Sequence, residues 1–155
     1  LDLDVAIVDS LEPFFELDGD FRIIRDYKKF RYRHHYTGNS SVFRYQAGTL
    51  NDLYDELERI GESVFTDFRN EQELLTHFVL EKGILQYWPR EWAVSYKYDC
   101  VYPMPVGLFR SPRIPTGAKV LVFHGDPKPE EAVLGRGSRW YRVIRPAPWL
   151  QQYID

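Results

Sequence analysis

The chain has 155 residues, 44 % of them hydrophobic, with 4 Trp, 11 Tyr and 10 Phe, so one domain with a packed core is within reach. Its formal net charge is -3, from 20 basic and 23 acidic residues, which gives no overall electrostatic reason to expect nucleic acid or an anionic membrane as partner. The single cysteine, Cys100, excludes an internal disulfide, and no apolar stretch approaches the ~18 residues that span a bilayer. With no signal peptide visible either, the expected location is the cytoplasm.

The chain begins LDLDVAIVDSLEPFF. Residues 4 to 10 are β-branched and apolar and read as a buried strand. SLEPFFE follows as the start of a short helix, with Pro13 in its first turn. Residues 21 to 27, FRIIRDY, form a second strand candidate. Residues 28 to 39, KKFRYRHHYTGN, are basic, aromatic and without a period, which predicts a loop. Its His34 and His35 are candidates for acceptor contact or for a solvated basic surface. Residues 40 to 48, SSVFRYQAG, read as a third strand. TLNDLYDELERIG is amphipathic: Leu50, Leu53, Tyr54, Leu57 and Ile60 recur at helical spacing, and Gly61 ends the helix. A second helix is predicted in RNEQELLTHFVLEKG, capped by Asn70, with Glu73 closing a capping box and Gly83 as the stop.

ILQYWP and WAVSYKY read as aromatic strands on either side of Pro89. Residues 101 to 117 hold four prolines and no period, so they read as a long surface loop. AKVLVFHG, residues 118 to 125, is the cleanest buried strand, and the tail after it is loop-rich. There are no repeats and no clear domain boundary. Strands alternate with helices, so the fold class is α/β.

Asp2 and Asp4 carry the first chemical signal. On an extended backbone, residues i and i+2 face the same side, so the two carboxylates converge. A divalent cation between them relieves their repulsion and gains hard oxygen ligands, which suits Mn²⁺ or Mg²⁺. The other reading is a polar strand end. VFHGDPKP adds His124 at the end of a buried strand, a ligand type suited to Mn²⁺. Gly125 would let backbone approach a phosphate, and Lys128 offers a point charge to a diphosphate. Lys97 is a second candidate phosphate contact; a stem laid over Tyr96 or Tyr98 is its structural alternative. Trp88 and Trp92 read as core, while Trp140 and Trp149 could also stack on a sugar. Cys100 reads as a small buried apolar residue.

Together these motifs resemble the C-terminal part of a GT-A glycosyltransferase related to family eight, the glycogenin and lipopolysaccharide-galactosyltransferase group. LDLDVAIVDSLEPFF matches that family's apolar strand, D-x-D and following run, and TGNSSVFRY, NEQELL and VFHGDPKP match later stretches in order. SYKYDC, VFHGDPKP and RPAPW resemble a set of bacterial glycosyltransferases in particular. The departures are His124 next to Gly125, where the family places the His three residues earlier, Glu71 in place of an Asp, and no Trp after Pro129.

The resemblance implies an α/β GT-A fold with a mixed sheet and flanking helices. It implies one partial domain over residues 1–155 that starts at D-x-D, with the N-terminal Rossmann-like half that holds the base missing. It implies a metal-dependent transfer of sugar from a nucleotide-sugar donor, a UDP-sugar first among them, to a saccharide or other hydroxyl acceptor. Asp2, Asp4 and His124 would hold Mn²⁺ or Mg²⁺; Gly125, Lys128 and Lys97 would face the diphosphate; Asn39, Glu71 and Gln72 would position the donor sugar. The alternatives are an inactive binding module on the same scaffold and a metal-dependent phosphohydrolase, the latter needing a second ligand cluster that the sequence does not display.

Overall fold

Val120, Leu121 and Val122 are buried to 0, 0 and 1 % exposure, because they form the central strand of a sheet. The computed structural model describes residues 1–27, 38–61, 64–136 and 144–154. The predicted loop His34 and His35, and Trp140, lie outside the described residues. The chain divides into two compact units, Leu1–Phe14 with Pro89–Asp155, and Phe15–Trp88. Each is a small α/β assembly around a three-stranded mixed sheet. Among the described residues, no helix is long and apolar enough to cross a membrane.

In the first unit, strand β1 (Val5–Ile7) lies antiparallel to β6 (Val120–Val122), with Val5 opposite Val122 and Ile7 opposite Val120. Strand β5 (Ala93–Ser95) runs parallel on the other side of β6, with Ser95 opposite Val122. The apolar segment expected over residues 4 to 10 is strand only over β1. Beyond Ile7 the ladder collapses, since Val8 N and Asp9 N both donate to Lys119 O, at 2.8 and 3.3 Å. Asp9 then pairs with the Lys119 ammonium. The strand expected through Tyr98 stops at Ser95, where a π-turn, Tyr96–Cys100, folds the Asp99 carboxylate back to accept the Ser95 N–H at 2.8 Å. Phe14, in helix α1 (Glu12–Glu16), meets the Trp92 ring edge-on at 5.2 Å. Helix α5 (Pro129–Leu134) begins with Pro129, whose φ is already helical, and Gly135 ends it in the left-handed region at φ 68°. Ala6, Val94, Leu121, Phe123, Ala132 and Leu150 form the core of this unit.

In the second unit, β2 (Phe21–Arg25) is central, antiparallel to β3 (Gly38–Tyr45) and parallel to β4 (Leu85–Tyr87). Strand β3 starts two residues earlier than expected, at Gly38, and its register against β2 shifts between Ile23, opposite Phe43, and Ile24, opposite Asn39, with the extra residues in β3. Helices α2 (Leu53–Ile60) and α4 (Glu71–Glu81) occupy the two predicted helical segments, and a short α3 (Val64–Asp67), which no periodicity announced, lies between them. Asn70 caps α4 as expected, its Oδ1 accepting Glu73 N at 3.0 Å. The capping box does not close. The Glu73 carboxylate accepts Arg69 N at 2.9 Å and pairs with the Arg69 guanidinium, an option the two-residue pattern could not exclude. Phe21, Ile23, Phe78 and Val79 make the core. Trp88 is buried, as expected, and gives its indole N–H to Val42 O at 3.1 Å.

Candidate functional site

The two parallel strands β5 and β6 end side by side, and the chemistry of the first unit collects at their carboxyl ends. Crevices at that edge of parallel sheets are where α/β folds bind ligands. Phe123 N donates to Asp4 O at 2.9 Å, which carries the pairing one step beyond β1 and sets Asp4 beside the residues that follow β6. The first and last motifs of the sequence therefore meet.

Asp4 pairs with the Lys128 ammonium. Both side chains are close to half exposed, 41 and 46 %, so solvent screens the pair and both groups can exchange partners. The Asp4 carboxylate holds the Lys128 ammonium above its usual range, and Asp2 and Asp126 push it the same way. Three carboxylates thus act on one cation. Asp2 and Asp4 do not sit in a regular strand, as the i, i+2 reasoning assumed. They precede β1 in a bend, and the Asp2 carboxylate accepts the N–H of Leu3 at 2.8 Å.

His124 follows β6 and places Nε2 2.7 Å from the Ser95 hydroxyl, with its ring 5.3 Å from that of Tyr98. Ser95 is fully buried, which fixes this contact. Lys97, in the π-turn, donates to His124 O at 2.5 Å, and its ammonium lies 5.4 Å from the Tyr98 ring. It is the charged head of Lys97, not its stem, that these contacts hold, between His124 O and the Tyr98 ring. Gly125 takes φ 80°, a left-handed conformation that favours glycine, and a Cβ there would lie 3.7 Å from Lys97 Nζ. The next turn contains Asp126, then Lys128, whose backbone N–H is held by the Glu131 carboxylate at 2.9 Å.

Asp4 is the carboxylate in contact with Lys128, and Asp2 and Asp126 act on that ammonium through their charge alone. His124 Nε2 is engaged with Ser95. Among the described residues, no three His, Cys, Asp or Glu side chains are grouped closely enough to hold a metal ion. A divalent ion would take Asp4 from Lys128 and Nε2 from Ser95.

Asn39, Glu71 and Gln72 belong to the second unit. Gln72 Oε1 accepts the Ser40 N–H at 3.1 Å and braces the start of β3 against α4, while Asn39 Oδ1 accepts Ser41 N at 3.0 Å within β3 itself. Glu71 is exposed at the first position of α4. Trp149 gives its indole N–H to Pro112 O at 2.8 Å, a structural use of that ring. The sequence reading missed Ser95, Asp99 and Asp126. The first two lie in or beside SYKYDC and the third inside VFHGDPKP, so the motifs were in view while their polar neighbours were not.

Comparison with protein-family models, with curated proteins and with solved structures gives no match.

Proposed function

We propose that the chain is a metal-dependent glycosyltransferase of the GT-A type, or the C-terminal portion of one, using a nucleotide-diphosphate sugar and a hydroxyl acceptor. The observation that supports this reading is the meeting of Asp4 with Lys128, and of His124 and Gly125 with Lys97, at the ends of two parallel strands. That arrangement sets two ammonium groups and a Cβ-free backbone beside a carboxylate pair, the charge pattern a metal–diphosphate calls for. Asp2, Asp4 and His124 are not grouped closely enough to hold a metal as they stand and would have to close on a divalent ion, which would supply Lewis-acid stabilisation of the leaving diphosphate. Lys128 would exchange Asp4 for a phosphate oxygen, and Lys97, tethered to His124 O, would add a second positive charge beside Gly125. Charge that develops on the leaving group then meets groups already in place, which is worth more than groups that must reorganise.

Calorimetric titration of Mn²⁺ in the presence of UDP tests this reading. Saturable binding is expected, weakened at least about tenfold by Asp4→Asn and by His124→Ala, each verified as folded by circular dichroism. Binding that both folded variants retain unchanged would sink it.

A further inference from the structure

Residues 101 to 125 contain no Asp or Glu, in a chain with 23 acidic residues. Their charged side chains are Arg110, Arg113 and Lys119, and Lys119 is paired with Asp9. The whole-chain balance is acidic, and here the sign reverses locally. In the same segment Met104 is 64 % exposed, Val106 42 % and Phe109 78 %.

These apolar side chains are held outward by a rigid turn. Gly107 N donates to Pro103 O at 3.0 Å, Leu108 N to Pro105 O at 3.1 Å, and both Phe109 N and Arg110 N reach Val106 O, at 3.0 and 3.1 Å. Gly107 is buried, and a Cβ there would stand 2.5 Å from Tyr102 O, so the turn is pinned inward at that residue. Its far end is tied by Arg113 N to Cys100 O at 3.1 Å and by the Trp149 indole to Pro112 O at 2.8 Å. Arg110 and Arg113 are exposed and lie 5.8 and 5.4 Å from the Tyr102 ring. A loop built this firmly could have tucked its large side chains in. Clustered apolar side chains kept in water beside cations mark a contact surface.

The chemistry of the loop selects the partner. A second copy docked loop to loop about a two-fold axis would bring four arginines to one contact with no Asp or Glu from residues 101 to 125 to pair them. The apolar side chains are exposed to solvent, which suits a soft, conforming surface. Arginine beside exposed Phe, Met and Val can reach lipid phosphate while the apolar groups enter the acyl boundary. We infer that the 103–113 loop is a reversible membrane-contact element, with Met104, Val106 and Phe109 entering an anionic leaflet and Arg110 and Arg113 binding its phosphates. This does not depend on the donor-site reading.

Co-sedimentation of the full chain with phosphatidylcholine vesicles, with and without phosphatidylglycerol, tests it. Binding is expected only to the anionic vesicles, and it should fall as salt rises. Each arginine contributes about fivefold, so Arg110→Glu with Arg113→Glu lowers partitioning by more than about twentyfold. Met104→Ser with Phe109→Ser lowers it about tenfold or more at unchanged charge. Phe109→Trp should be quenched by brominated acyl chains, a readout independent of any loss of fold. Absence of binding by the folded chain overturns the inference. So do binding indifferent to Phe109→Ser, and a concentration-dependent dimer that Phe109→Ser dissolves without any vesicle binding.

Discussion

Cys100 closes the π-turn at 1 % exposure, and burial, with the nearby Asp99 charge adding to it, pushes its thiol up to about 12 from 9.0. The sign of the consequence is fixed by linkage. Below pH 9.0 the thiol is neutral whether the chain is folded or not and has no pH effect. Between 9.0 and about 12 the unfolded chain releases this proton and the folded one keeps it, so stability falls as pH rises through that window. Burial raises the Tyr96 phenol as well, which steepens the same loss. Cys100→Ala removes one contribution. Urea unfolding at pH 8 and pH 10.5 should show wild type losing about 1–2 kcal/mol more than the variant between the two values. A difference that does not change with pH would mean that Cys100 is not held neutral by burial. The thiol also illustrates what was legible one residue at a time. A lone cysteine in an aromatic segment read correctly as buried and apolar. Lys97, by contrast, needed the strand ends in place before its charged head had a partner.

Helix α4 exposes the difference between a local signal and a local outcome. Asn70 is extended, at φ -162° and ψ 170°, and its side chain satisfies one of the amides that the helix leaves unpaired. Asn70→Ala should cost about 1 kcal/mol in chemical denaturation, whereas Glu71→Ala, which removes an exposed carboxylate with no cap hydrogen bond, should cost about half that or less. Equal losses would show that the cap contributes nothing. The existence of α2 and α4 was readable because each carries its signals within a few residues: period and terminal glycine for α2, cap and terminal glycine for α4. The ends of the strands were not readable, because distant residues decide them. β1 stops where Lys119 O captures two amides, and β5 stops where Asp99 turns back on Ser95. Both groups lie outside any window that periodicity scans. The candidate site divides in the same way. Asp4, Lys97, His124, Gly125 and Lys128 were named from their own types and spacing, and the sheet then brought them together. Ser95 became part of the site only through the parallel pairing that aligns it with Val122.

At the scale of the whole molecule the decisive feature is that the first unit draws on both ends of the chain while the second is one continuous stretch. β1 and β6 pair across more than a hundred residues, with Val5 opposite Val122, and closing so long a loop is slow and entropically costly. Its return is the buried centre of that sheet. Each unit has its own apolar core, Leu121 and its neighbours in one, Phe21, Ile23, Phe78 and Val79 in the other. Native-state hydrogen exchange therefore should resolve two opening free energies rather than one. Leu121→Ala leaves a cavity in the first core and should lower protection of β1, β5 and β6 together by about 2–5 kcal/mol, while β2 and β4 keep theirs. A uniform fall across both sheets would mean that the units open as one. The Asp4–Lys128 pair lies wholly in the first unit, so Mn²⁺ with UDP should raise protection of β1, β5 and β6 by mass action, since a ligand stabilises only the state that binds it. Stabilisation confined instead to β2–β4 would move the ligand to the second unit, where Asn39 and Gln72 stand, and would leave Asp4 and Lys128 as a surface ion pair.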